Sequence, residues 1–263
     1  MIREKPIVRL RQLCKWHETS MVLEAVDLDI TKGFFMGVIA SEQKTETFLM
    51  RIIGQHLHSD FGLILLGESQ LNRIRVDERI ALKHKFVLIH PFYPAPLETS
   101  VLDHVLDRHP IQSMLFGRKV HRVELASFHM QALGLTHLFD RPVNQLGSEE
   151  RMLVSVVKAL MREPSLVMLD AIWFKLKDDT WLRLLNHLRT LVVSEGLSVM
   201  VNRVDELTQT YLQRILAFEQ GRLVLDNVSE KVDWNRIHQI KMKRSLNAGI
   251  VTQSSSALGV YSL

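Results

Sequence analysis

In two places polar residues that could bind a phosphorylated ligand come directly after a predicted buried strand. Residues 34–40 (FFMGVIA) are continuously apolar and predict a strand buried on both faces, followed by a polar loop at 41–45 and a helix from Glu46. A second apolar strand, Leu166–Leu169, is followed directly by Asp170. This order is the layout of a P-loop nucleotide site, in which loop N–H groups and a helix N-terminus bind phosphates. In such a site a lysine neutralises the phosphates, while a Ser or Thr hydroxyl and the strand-end Asp hold Mg²⁺.

The elements that must position these residues alternate between strands and helices. Further strands are predicted at 7–13, 22–30, 63–66, 85–89 and 197–201, with a hairpin of 215–218 and 222–225. Helices are predicted over 46–53, 102–132 with a break near 108–117, 149–161 and 180–193. Buried strands that alternate with helices indicate an α/β fold with a mostly parallel sheet, and the antiparallel pieces lie near both ends of the sequence.

Composition excludes several other classes of protein. The chain has 263 residues, of which 46% are hydrophobic and 24% charged, so it is expected to form one or two globular domains. The single cysteine, Cys14, excludes a disulfide framework and favours a reducing, cytosolic setting. We expect no signal peptide and no transmembrane helix, because no apolar run has the required length. A net charge of +4 is too small to indicate a nucleic-acid partner.

The order of these motifs resembles that in the ATP-binding subunits of ABC transporters, over roughly residues 7–226. The similar stretches are LEAVDLDITKGFFMGVIA, FLMRIIGQHLHSDFGLILLGE, and NQLG with the helix and PSLVMLDA that follow. The resemblance implies a P-loop NTPase-like ABC ATPase fold, with a nucleotide-binding domain over 1–240 that includes a helical subdomain at about 95–160, and a basic, Ser-rich tail over 241–263. It also implies ATP and Mg²⁺ as ligands. The partners that it implies are a membrane permease subunit and a second ATPase subunit, in a homodimer or a heterodimer.

The phosphate-binding motif departs from the family pattern at its most important positions. The family's G-x-x-x-x-G-K-[ST] falls on residues 40–47 (ASEQKTET), so Ala40 and Thr45 replace the two glycines and Glu46 replaces the lysine. A β-branched residue resists the positive φ that such a loop commonly needs. A carboxylate at the lysine position replaces attraction to phosphate with repulsion. The sequence therefore predicts weak or absent ATP binding.

A few residues keep the binding chemistry of the family. Thr47 and Asp170 retain the groups that would hold Mg²⁺, and Trp16 falls where the family stacks an aromatic side chain on adenine. Each also has a simpler role, as a helix N-cap, a loop hydrogen bond or an edge of the core. An alternative register, with a loop two residues shorter, makes Lys44 and Thr45 the Lys–Thr pair, but the spacing to the flanking helix favours a solvated Lys44.

The remaining motifs of the family are altered as well. The catalytic Glu aligns with Ala171, which cannot orient a water molecule, and the D-loop aspartate aligns with Lys177. The signature L-S-G-G-Q aligns with residues 146–150 (LGSEE), which places two acids where a partner's γ-phosphate would dock. The Q-loop glutamine aligns with His90 and the switch histidine with Arg203. These two are either an alternative catalytic pair or solvated loop residues.

Intact strands beside altered motifs favour a pseudo-ATPase with a docking, regulatory or assembly role at a membrane transport complex, peripheral on the cytoplasmic face. Residues 91–97 (PFYPAPL) follow the Q-loop position and are predicted to dock on the membrane partner through Phe92 and Tyr93, unless this stretch is a core loop. Two other hypotheses remain. One is a subunit that binds or hydrolyses ATP to energise transport of a lipid or another solute. The other is a module that binds ATP without turnover.

Overall fold

The computed structural model describes residues 5–71, 73–89, 99–106, 116–170, 176–228 and 233–244. Within them lie ten strands: β1 (Val8–His17), β2 (Ser20–Ile30), β3 (Phe35–Ala40), β4 (Phe61–Leu66), β5 (Ser69–Gln70), β6 (Phe86–Ile89), β7 (Leu166–Leu169), β8 (Ser198–Val201), β9 (Arg214–Glu219) and β10 (Arg222–Val228). The α-helices in the same residues are α1 (Gln43–Ile53), α2 (Val76–Lys85), α3 (Val101–Val105), α4 (Phe116–Ala132), α5 (Ser148–Leu160), α6 (Asp178–Glu195), α7 (Glu206–Gln209) and α8 (234–244). Short 3₁₀ helices occur at Thr136–Leu138 and Val143–Gln145.

The chain divides into two compact units. The first comprises Met1–Thr31, Met36–Ile74 and Leu212–Leu263, and the second comprises Lys32–Phe35 and Arg75–Tyr211. Because the first unit is made from three separate stretches, its final strands and α8 come from sequence that follows the whole of the second unit.

The first unit combines an antiparallel sheet with a strand that leads into the candidate site. The antiparallel sheet has the order β2-β1-β4-β5. Strand β3 is buried along its whole length and pairs in parallel with β9, which pairs antiparallel with β10. Helix α1 follows β3 and buries an apolar face made of Leu49, Met50, Ile52 and Ile53. The candidate loop at residues 41–42 is therefore held between a buried strand and a well-packed helix.

The second unit is built on three short parallel strands in the order β8-β7-β6, each buried along its whole length. Helix α5 contacts β6, helix α6 contacts β8, and α4 contacts both of these helices. A buried pair of imidazoles joins α4 to α6, because His129 Nδ1 lies 2.9 Å from His187 Nε2. The strand ends of this unit carry Asp170 and Asn202.

The α/β architecture predicted from the sequence is confirmed, with parallel buried strands and antiparallel pairs near both ends of the chain. Three local differences matter. Helix α1 begins at Gln43 rather than at Glu46. Helix α2 was not predicted, because its residues are charged and none of them is buried, so no apolar period marks it. The tail predicted from residue 241 instead begins as helix, since α8 continues to residue 244.

No helix in the described parts of the chain is long and apolar enough to cross a membrane.

Candidate functional site

The loop between β3 and α1 uses its own backbone donors. The N–H of Ser41 donates to the Phe218 carbonyl at 3.0 Å, and the N–H of Thr45 donates to the Glu42 carbonyl at 3.1 Å. The described backbone of residues 40–47 contains no positive φ, so the chain enters α1 directly rather than through the wide turn of a phosphate-binding loop. Two of the amides that would face a phosphate are therefore already hydrogen-bonded to carbonyl groups of the protein.

Glu46, at the lysine position of the motif, points into the interior and is compensated there. Its side chain is 0% exposed. One carboxylate oxygen, Oε1, accepts the Ala40 N–H at 2.7 Å, and Arg244 Nη1 lies 3.1 Å from Oε1 and 3.3 Å from Oε2. The carboxylate predicted to repel phosphate is therefore also a structural group, balanced by a guanidinium from the far end of the chain.

Helix α8 brings Arg244 to this position through a buried stripe. Asp233 accepts the backbone N–H of Asn235 at 3.0 Å and so caps the start of the helix. Ile237 and Ile240 are almost completely buried, and Arg244 follows at the spacing that keeps it on the same face. Sequence reasoning missed this residue. The available signal was the apolar spacing of 237 and 240 inside a basic segment.

The side chains of Lys44 and Thr45 lie in different environments. Lys44 is exposed, whereas Thr45 is buried and its hydroxyl has no hydrogen-bond partner among the described residues. Thr47 is half-buried in the second turn of α1. The exposure of Lys44 agrees with the predicted solvated lysine. A nucleotide-binding role for Lys44, Thr45 or Thr47 stays a prediction.

Trp16 remains open to solvent. Its side chain lies in β1 and is 44% exposed, and its backbone N–H donates to Asp60 at 2.6 Å. The ring of the next residue, His17, lies 5.1 Å from the ring of Phe48 in α1. This end of β1 therefore lies against the helix that follows the candidate loop. The indole is free to stack on a planar ligand, and stacking on adenine stays a prediction.

Asp170 and Asn202 follow the adjacent parallel strands β7 and β8 in the second unit. Asp170 is buried and accepts a hydrogen bond from Asn202 Nδ2 at 2.9 Å. Thr47 belongs to the first unit, so the Mg²⁺ pair of Thr47 and Asp170 stays a prediction. In the ranges that the structure describes, no three His, Cys, Asp or Glu side chains are grouped closely enough to hold a metal ion.

The two acids of the altered signature bind nearby backbone. Glu150 Oε2 accepts the N–H of Gly147, the residue just before α5, at 2.8 Å. Glu149 Oε1 accepts the N–H of Lys177 at 2.9 Å. A donor at the start of the signature helix is therefore satisfied by a carboxylate of the same helix.

Arg203, at the switch-histidine position, is engaged in packing. Its side chain is 7% exposed and forms ion pairs with Asp205 at 2.6 Å and Asp178 at 2.8 Å. The guanidinium also donates to the Leu176 carbonyl at 3.2 Å and lies 5.0 Å from the Trp181 ring centre. These contacts tie the segment after β8 to the start of α6. They support neither a solvated role nor a catalytic one.

Several predicted positions lie outside the described residues. They are His90, Phe92 and Tyr93 with the rest of 91–97, and Ala171.

Comparison with known proteins agrees with the fold and with the order of the motifs. No protein-family model matches the chain. The phosphonates import ATP-binding protein PhnC 2 of Synechococcus sp. (strain JA-2-3B'a(2-13)) is 24% identical over 257 residues, which are 95% of each chain. The lipoprotein-releasing system ATP-binding protein LolD of Novosphingobium aromaticivorans is 24% identical over 225 residues, 83% of this chain and 98% of that one.

Solved structures give the same result. The cbiO1 structure from Clostridium perfringens, part of the ABC transporter complex cbiONQ, matches with a TM-score of 0.74 at 16% identity, covering 95% of this chain and 100% of that one. The dimeric structure of MJ0796, described as a bacterial ABC transporter cassette, matches with a TM-score of 0.71 at 17% identity, covering 84% and 98%. The fold is that of an ABC ATPase cassette. The resemblance to ABC transporter ATP-binding subunits is confirmed.

The ATP phosphates implied by this resemblance do not fit the candidate loop. A phosphate needs free N–H donors and a cation, whereas here the amides of Ala40, Ser41 and Thr45 have internal acceptors. The group at the lysine position is a buried carboxylate. The arrangement is chemically suited to hold a cation, and a cationic side chain is what it holds.

Proposed function

We propose that this chain is an ABC-type subunit that keeps the cassette fold, lacks ATP hydrolysis, and serves as a docking, regulatory or assembly subunit of a membrane transport complex. The observation that carries the proposal is Glu46, a fully buried carboxylate bound by Arg244 where the family has its phosphate-binding lysine. In this proposal the chain keeps the fold of the family and lacks its phosphate-binding residues.

Electrostatics give the reason for the lost activity. Two opposite unit charges about 4 Å apart, at an effective dielectric constant near 20, attract by about 4 kcal/mol. The family's lysine gives a phosphate this attraction, whereas the Glu46–Arg244 pair has no net charge and gives none. Ala171 also lacks the carboxylate that orients the attacking water.

The second half-site supports the same conclusion. An ABC dimer builds each ATP site from the phosphate loop of one subunit and the signature of the other. In this chain Glu46 lies in the phosphate loop, and Glu149 and Glu150 lie in the signature. A dimer that includes the chain, whether a homodimer or a heterodimer, would therefore lack a full set of ATP-binding residues at each site to which this chain contributes.

The proposed partner is a membrane permease subunit, with the chain peripheral on the cytoplasmic face. The names of the similar proteins support this, since PhnC 2 is an import ATP-binding protein and LolD is an ATP-binding protein of a lipoprotein-releasing system. Because these relatives serve different cargoes, we propose no particular solute.

ATP turnover by the purified full-length chain tests the proposal. We expect phosphate release with Mg²⁺ no faster than background, and a Kd for Mg-ATP by calorimetry no better than about 1 mM. Asp170→Ala is the matched variant. Steady turnover that disappears in this variant would overturn the proposal, because it would show a working site.

A binding-only result would point to the other hypothesis. Micromolar ATP binding without turnover, accompanied by a quench of tryptophan fluorescence that is lost in Trp16→Phe, would identify a module that is gated by nucleotide. The half-exposed indole of Trp16 is the feature that makes this outcome measurable.

A further inference from the structure

We infer that the altered phosphate loop is a guanidinium-binding site, and that Arg244 of α8 is its resident ligand. The site is built from the first unit alone. Its anion is the Glu46 carboxylate, which is 0% exposed and held in place by the Ala40 N–H at 2.7 Å. Arg244 Nη1 lies within 3.3 Å of both carboxylate oxygens.

The chemistry of the site favours a guanidinium over other ligands. A guanidinium stays charged at every relevant pH and is more weakly hydrated than an ammonium, so it enters a buried site at lower cost. Phosphate is disfavoured, because Glu46 would repel it and three of the loop amides donate to internal acceptors. The site has thus exchanged an anionic ligand for a cationic one.

The ligand is delivered by a helix with its own anchoring contacts. Ile237 and Ile240 bury one face of α8, and Arg244 continues that face into the loop. The adjacent Lys243 turns the other way and pairs with Glu219 at 2.7 Å, with 56% of the lysine side chain exposed. The two neighbouring cations therefore provide one pair whose carboxylate is fully buried and one exposed pair on the same helix.

Thermal unfolding of full-length variants tests the inference. Removing one partner of a buried pair leaves the other charge uncompensated, so Arg244→Ala should lower the Tm by about 5 °C or more. Lys243→Ala is the matched control and should change it by less than about 2 °C. Methylguanidinium should raise the Tm of Arg244→Ala progressively with its concentration, because a ligand that binds only the folded state raises the stability of that state.

A comparison of three added ions tests whether the site prefers a guanidinium. Methylammonium at the same concentration and ionic strength should restore less, and inorganic phosphate should restore nothing. Methylguanidinium should have no effect on the Glu46→Gln, Arg244→Ala double variant, which lacks the anion. Equal rescue by both cations, rescue of the double variant, or stabilisation by phosphate would each overturn the inference.

A double-mutant cycle covers the case in which Arg244→Ala does not fold. Glu46→Gln and Arg244→Gln should each lower the Tm, and the double variant should lose clearly less than the sum of the two. Additive losses would show that the two side chains are not coupled and would overturn the inference. The inference shares the Glu46–Arg244 contact with the proposed function, but ATP turnover tests only the proposed function, so the two failures are distinguishable.

Discussion

At the scale of single residues, Arg203 shows how a position of the family's catalytic machinery has become part of the packing. Its guanidinium is shared between Asp178, Asp205, a carbonyl oxygen and the face of Trp181. We predict that Arg203→His, which restores the residue type of the family, destabilises the protein by about 1–3 kcal/mol, because Asp205 and the Leu176 carbonyl lose a buried guanidinium, whereas Asp178 is mostly exposed. Urea unfolding measures this loss.

The control for that variant is Arg222→Ala. Arg222 pairs with Glu24 on the surface, with 67% of the arginine side chain exposed, so its removal should change the stability little. ATP turnover should stay at background in both variants. A gain of turnover in Arg203→His would show that the site lacks only its switch residue.

The sequence identified Glu46 as the decisive residue, but it could not identify the group that neutralises it. The altered motif places Glu46 at a known position, but the sequence does not predict that its carboxylate is buried. Arg244 lies 198 residues away, and no local pattern relates the two. A contact across that distance is set by tertiary packing.

At the scale of elements, the pair of His129 and His187 joins α4 to α6 in a way that depends on pH. Burial, and then the charge of the other imidazole, lowers the pKa of His129 from 6.5 to about 4, and burial lowers the pKa of His187 to about 4. Only a neutral imidazole can accept the hydrogen bond between the rings. Both rings are therefore uncharged in the folded protein at neutral pH.

We predict that stability falls as the pH is lowered from about 6.5 to 4. In this range the unfolded chain binds protons that the folded chain excludes, so the free energy of unfolding decreases by up to about 1.4 kcal/mol per pH unit for each imidazole. Melting curves from pH 7 to 5 should show a much smaller fall for the His129→Leu, His187→Leu double variant. His121→Gln, at an exposed position of α4, is the control and should follow the unmodified protein.

Helix boundaries near the site were harder to predict than the strands. The buried strands were evident because they are short and wholly apolar. The sequence predicts a start at Glu46, three residues after the observed start of α1, because the polar residues 41–45 are typical of a phosphate loop. Without glycine at either motif position, nothing in this stretch favours a positive φ, so the helix begins at Gln43.

At the scale of the whole molecule, the proposed docking role assigns the partner contact to Phe92 and Tyr93, which lie outside the described residues. We predict that Phe92→Asp with Tyr93→Asp releases the protein from its membrane partner and leaves the fold intact, because aromatic anchors dominate interface energetics. Co-sedimentation with membranes of the native host measures the release. Phe61→Asp, which changes an aromatic 68% exposed on β4, is the control and should remain bound.

Two results would count against this docking surface. If the double Asp variant still sediments with the membranes, the interface lies elsewhere on the chain. If the variant loses its cooperative melt, Phe92 and Tyr93 belong to the core, as the alternative reading of residues 91–97 holds.

The discontinuous first unit has a consequence for biosynthesis. On the ribosome, Glu46 emerges long before Arg244, since 198 residues separate them in the sequence. Strands β9 and β10 and helix α8, which complete the first unit, are also made last. The second unit is available to fold during translation, while the first waits with an uncompensated acid in the helix that follows β3. The first unit therefore cannot be completed before α8 is synthesised.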